Sequence, residues 1–101
     1  MKNNLDLIHQ QSKEASKLLK IMAHADRMVV LCLLSSSEMN VTNLREHSQL
    51  SQSAFSQHLS VLRKNNIVKV RKEAQHVFYS LADERIRLIL NALQKAFCPD
   101  I

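Results

Sequence analysis

The hydrophobic pattern changes period once, near residue 67, and this switch constrains the fold more than any other feature of the chain. Up to Asn66 the apolar residues recur three and four positions apart, the spacing of one helix face. Leu5, Ile8, Ala15, Leu18, Leu19 and Met22 form such a stripe, so a helix is expected over about 5–22. Asp26 is the expected cap of a second helix. The run from Met28 to Leu34 is apolar on every side, which predicts a helix buried all round. Ser35-Ser36-Ser37 ends it. Thr42 reads as the cap of a short third helix. Ser51 reads as the cap of a fourth, with Ala54, Phe55, Leu59 and Leu62 facing inward and Asn65-Asn66 closing it. Beyond Asn66 the residues become β-branched or aromatic. Ile67, Val68 and Val70, then Val77, Phe78, Tyr79 and Leu81, flank the polar stretch 71–76, which predicts a two-stranded hairpin with a charged tip. An isolated hairpin is marginal in water, so it must lean on the helices. Asp83 then caps a last helix with the stripe Ile86, Ile89, Leu90, Leu93 and Phe97. The order α-α-α-α-β-β-α describes one mainly α domain over 1–101 with a β-hairpin wing, a winged helix-turn-helix.

Composition narrows the function. Glycine is absent and Pro99 is the one proline, which suits a helix-rich chain and excludes glycine-loop nucleotide motifs. No apolar run approaches the length of a membrane span, and no secretory signal is visible at the N-terminus, so a cytoplasmic protein with no membrane partner is expected. No nucleophile–base–orienter set, carboxylate pair or phosphate loop is present, so no enzyme and no cofactor are expected. At 101 residues, a chain 46% hydrophobic and 23% charged carries more apolar surface than one small domain easily hides. A two-fold homodimer is the commonest solution, here expected through the first and last helices.

Charge points to the partner. Residues 47–80 hold five cations (Arg63, Lys64, Lys69, Arg71 and Lys72) against one acid, Glu73, an excess of four out of the chain's net +5. A solvated face usually mixes signs, so this imbalance favours a polyanion. On a helix opening at Ser51, the residues Gln52, Ser53, Ser56, Gln57, Ser60 and Lys64 lie opposite the apolar stripe, with His58 and Arg63 flanking it. Hydroxyls, amides and imidazoles hydrogen-bond base edges and phosphates, and a helix presenting them fits the major groove of double-stranded DNA.

Four stretches carry a resemblance: LLKIMAHADRMVVLCLL at 18–34, LSQSAFSQHLSVLRKNNIV at 50–68, RKEAQHVFYSL at 71–81, and the helix ending in AFCP at 96–99. Together they resemble the arsenical-resistance-repressor (ArsR) family from about residue 14 to Pro99. The resemblance implies that Ser53, Ser56, Gln57 and His58 sit closest to the groove. It also implies that Arg71, Lys72, Gln75 and His76 place the wing against the flanking backbone or minor groove. Phosphate contacts fix register and base contacts specify sequence.

The family's metal sensors are matched poorly. The thiol-rich site of its arsenic, cadmium and lead sensors corresponds to Glu38–Leu44, where Asn40 and Thr42 replace both thiols. Of the last-helix site of its zinc and nickel sensors Asp83 survives, but Arg85 stands at the histidine position and Ala96 and Pro99 at the later ligand positions. The histidines His9, His24, His47, His58 and His76 show no ligand-like pairing in sequence, so no metal is expected.

The two cysteines are Cys32 and Cys98. Taken alone, Cys32 reads as a small core residue, and Cys98, beside Pro99 at a helix end, as partly exposed. The segments Val-Leu-Cys-Leu-Leu at 30–34 and Phe-Cys-Pro at 97–99 are similar to the sulfide- and redox-responsive branch of the family, the regulators of the HlyU and BigR kind. That resemblance implies a dithiol that senses reactive sulfur species or oxidants by forming a disulfide or polysulfide bridge. A direct disulfide needs the Cα atoms about 4.4–6.8 Å apart. Three rivals stand beside it: a regulator with inert cysteines that displaces a silencer, a metal-responsive repressor, and a protein-interaction module that no longer binds DNA.

Overall fold

Five helices and three short strands follow one another as α1 (Asn4–Met22), α2 (Ala25–Leu34), β1 (Met39–Asn40), α3 (Val41–Glu46), α4 (Gln52–Lys64), β2 (Val68–Glu73), β3 (His76–Leu81) and α5 (Glu84–Phe97) in the computed structural model, which describes residues 3–97. This is the expected winged helix-turn-helix order with one strand added. Two residues are too few to print an alternating pattern, so β1 left no signal in the sequence. It pairs antiparallel with β3, Met39 opposite Tyr79 and Asn40 opposite Phe78. The β2–β3 hairpin runs from Val68 opposite Leu81 to Glu73 opposite His76, so β3 is the central strand of the order β1-β3-β2. The wing therefore leans on β1 and the start of α3.

Caps explain where the helices begin, and two differ from expectation. Ser51 caps α4 as read, its Oγ accepting from the Ala54 N–H at 3.2 Å. The α3 cap is Asn40, whose Oδ1 accepts from the Thr42 N–H at 2.8 Å, so Thr42 lies inside the helix. Both residue types cap well, and only the backbone path decides between them. The α2 cap position falls to His24, which makes no side-chain capping bond. Asp26 sits instead in the first turn, where a negative charge still favours the helix dipole. Asp83 precedes α5 and accepts from the Arg85 N–H at 3.0 Å.

The core draws on all five helices and the sheet. Leu31, Leu44, Leu62 and Ile86 are completely buried, and Phe55, Leu34 and Ile67 nearly so. Helix α2 is not buried all round. Val30, Leu31 and Leu34 point inward, whereas Val29 is 48% exposed and Cys32 is exposed. One face of this ten-residue helix covers the core and its back meets the surface, which also removes Cys32 from the core. The outer helices leave apolar residues uncovered in the single chain: Leu5 and Ile8 on α1, Leu88 and Phe97 on α5. No helix among the described residues is long and apolar enough to cross a membrane.

Candidate nucleic-acid interface

Helix α4 buries Phe55, Leu59 and Leu62 and exposes Gln52, Ser53, Ser56, Gln57, Ser60, Arg63 and Lys64. The polar residues form one continuous arc because they fall opposite the apolar stripe at about 100° per residue. Between α3, α4 and β3 runs an open cleft of about 800 Å³ whose rim includes Gln52, Ser56, Ser60 and Arg63, faced by Arg45 of α3 and Tyr79. Arg45 escaped the sequence reading because it lies just ahead of the basic segment. Its signal was a cation on the helix preceding the polar one.

His58 does not lie on this arc. It is partly buried and accepts at Nδ1 from Arg27 Nε at 3.1 Å, while Arg27 Nη1 donates to the Ile21 carbonyl at 3.1 Å. Its ring packs on that of His24 with centroids 4.6 Å apart. Burial, then the neighbouring His24 and Arg27, holds the His58 imidazole below its ordinary value of 6.5, with Asp26 opposing them. The structure thus turns His58 toward α2, about 100° past Gln57 around the helix. It also corrects the expectation of unpaired histidines, since His24, Asp26 and His58 bring ligand-type atoms within 4.8 Å of one another.

The wing divides its residues between two tasks. Lys72 and Gln75 are exposed near its tip. Arg71 is committed to neighbouring acids: Nε and Nη2 donate to the two Glu38 oxygens at 3.0 and 2.7 Å, and Nη1 donates to Glu73 at 2.5 Å. Its guanidinium also lies 4.5 Å over the Phe78 ring. His76 hydrogen-bonds Asn40 at 3.1 Å through Nδ1, which ties the hairpin end to β1. The local excess of four charges counted in sequence is therefore partly neutralised by Glu38, an acid from outside the counted segment.

At the start of α5 the Arg85 guanidinium grips Asp83, with Nη2 to Oδ2 at 2.6 Å and Nε to Oδ1 at 3.0 Å. That hydrogen bond holds the Asp83 carboxyl below its ordinary range. Arginine thereby fills the one carboxylate that the last-helix metal site would have used. Of the two cysteines, Cys32 is exposed on α2; Cys98 and Pro99 lie outside the described residues. The C-terminal end of α2 is tied to α5 by Arg87, whose Nε donates to the Ser35 carbonyl at 3.0 Å.

The model of the arsR family of bacterial regulatory proteins matches residues 24–70. Transcriptional activator HlyU of Vibrio cholerae is 41% identical over 95 residues, covering 94% of this chain and 88% of that protein. The biofilm growth-associated repressor of Agrobacterium fabrum is 35% identical, covering 93% and 80%. Among solved structures, reduced HlyU from Vibrio cholerae superposes with a TM-score of 0.83 at 41% identity, covering 90% of this chain and 96% of that one. HlyU from Vibrio vulnificus gives 0.88 at 43% identity, covering 95% and 100%.

Proposed function

Because the chain belongs to the ArsR family of bacterial regulatory proteins, in the branch of HlyU and the biofilm growth-associated repressors, we propose that it is a sequence-specific, dimeric DNA-binding transcription regulator controlled by the Cys32/Cys98 dithiol. The observation that carries the DNA-binding part is the polar arc of α4, capped by Ser51 and standing beside a wing that exposes Lys72 and Gln75. Gln52, Ser53, Ser56 and Gln57 read base edges in the major groove. Arg63, Lys64, Lys72 and Gln75 meet the backbone and set register. Arg71 and His76 act one step back, holding the wing in place against Glu38 and Asn40.

Dimerisation brings two such arcs to half-sites about 34–36 Å apart. The uncovered apolar residues Leu5, Ile8, Leu88 and Phe97 on α1 and α5 support those helices as the interface. The exposure of Cys32 supports the sulfur reading, because a sensing thiol must meet its oxidant. Linking Cys32 to Cys98, the residue that follows α5 in sequence, would couple α2 to that interface. A coupling of about 1–3 kcal/mol would lower operator occupancy several-fold or more. Anisotropy titration of an operator fragment, with reduced protein and with protein treated with an organic persulfide, tests both parts. The expected result is tight, salt-sensitive binding when reduced, release on treatment, and loss of the response in Cys32→Ser. Equal affinity in the two states would leave a DNA-binding regulator with inert cysteines. No salt-dependent binding would leave a protein-interaction module.

A further inference from the structure

Three ligand-type side chains meet between α2 and α4, on the flank of α4 away from its polar arc. His24 stands at the N-terminal end of α2, Asp26 in its first turn and His58 on α4, with one ligand atom of each within 4.8 Å of the others. Asp26 is partly buried yet belongs to none of the ion pairs among the described residues. His24 spends its side chain on no capping bond and packs on the His58 ring instead. The fold thus faces a carboxylate and two imidazoles toward one point.

We propose that His24, Asp26 and His58 form a site for one late first-row divalent cation of the zinc or nickel class, bridging α2 to α4. The donor set decides the class. Imidazole nitrogen suits zinc, nickel and copper, whereas magnesium and calcium prefer all-oxygen shells. Bonds of about 2.0–2.2 Å place ligand atoms around a shared ion about 3–4 Å apart. The spread of 4.8 Å closes with modest side-chain rotation, which the exposed His24 can supply. Water completes the shell on the solvent side.

Arg27 gives the site a competitor. A guanidinium only donates, so its 3.1 Å bond to His58 Nδ1 leaves the ring proton on Nε2. A cation at Nε2 requires that proton to move to Nδ1, which ends the Arg27 bond; a cation at Nδ1 displaces Arg27 directly. In either case the ring stays neutral and no proton is released. The Arg27 charge also opposes a second cation nearby. Removing Arg27 and removing a ligand should therefore act with opposite signs.

The test is a cobalt(II) titration of the full chain carrying Cys32→Ser and Cys98→Ser, so that thiolates supply no ligands and the result is independent of the cysteine reading. Visible absorption follows loading, and zinc(II) displaces the cobalt. One equivalent per chain is expected, weakened about tenfold or more in Asp26→Asn and in His58→Gln and strengthened in Arg27→Gln. Circular dichroism confirms that each variant is folded, and Asp26→Asn keeps the side-chain volume. Absence of saturable binding overturns the proposal. Binding unchanged in Asp26→Asn, His24→Gln and His58→Gln also overturns it, placing the ion on His9, His47 or His76.

Discussion

Arg71 on the wing and Glu38 just ahead of β1 face each other guanidinium to carboxylate, joined by two hydrogen bonds of 3.0 and 2.7 Å. Arg71 holds the Glu38 carboxyl below its usual range, the hydrogen bond being the larger cause and the charge the smaller. The pair spans 33 positions of sequence and joins the hairpin to the rest of the domain.

Both side chains are exposed, so the pair adds little to stability, but it removes a cation from the DNA-facing balance. Glu38→Gln combined with Glu73→Gln, which frees Arg71 from both acids, should leave the thermal midpoint nearly unchanged and tighten operator binding at low salt. The slope of log affinity against log salt should steepen by about 0.9, the value for one added phosphate contact. Anisotropy titrations across a salt series measure it.

Lys72 and Gln57 should separate positioning from specificity. Lys72→Ala should weaken binding to all duplexes alike and reduce the salt slope by about 0.9. Gln57→Ala should cost about 1–3 kcal/mol on the operator while leaving the salt slope and the binding of unrelated DNA nearly unchanged. Parallel titrations on operator and scrambled duplexes distinguish the two.

His58 should make stability fall with acid. Its folded-state value is depressed below 6.5, chiefly by burial and then by His24 and Arg27. The unfolded chain therefore takes up this proton first, and stability drops as pH falls through 6.5 toward the folded value, then levels below it. Thermal unfolding between pH 8 and pH 5 should show a steeper loss in the parent chain than in His58→Gln.

Ala74 opens the hairpin turn with φ at 55°, a region that disfavours any residue with a Cβ. In a chain without glycine the turn bears that cost. Ala74→Gly should stabilise the fold by about 0.5–1 kcal/mol, the strain relieved outweighing the added freedom of the unfolded chain. For a domain of this size that is a rise of a few degrees in melting temperature. An unchanged or lowered midpoint would show that the hairpin tolerates alanine without strain.

By itself the sequence determined the order of the five helices and the hairpin, the period switch near residue 67, the Ser51 cap and the polar arc of α4. Each of these is local: helix and strand periods, and a side chain reaching its own backbone three residues on, are written in neighbouring positions. It did not determine which candidate residues are held by other parts of the protein. Arg71 and His58 belong to the same motifs as Lys72 and Gln57. Yet the fold delivers Glu38 to Arg71 and Arg27 to His58 across 33 and 31 positions. The short strand β1 and the exposure of Cys32 were likewise settled by packing, because a two-residue strand has no period and an apolar helix does not say which of its sides the core will cover. Only the tertiary structure brings distant charges and faces together, since contact across the fold depends on how the elements stack and not on how their residues are spaced.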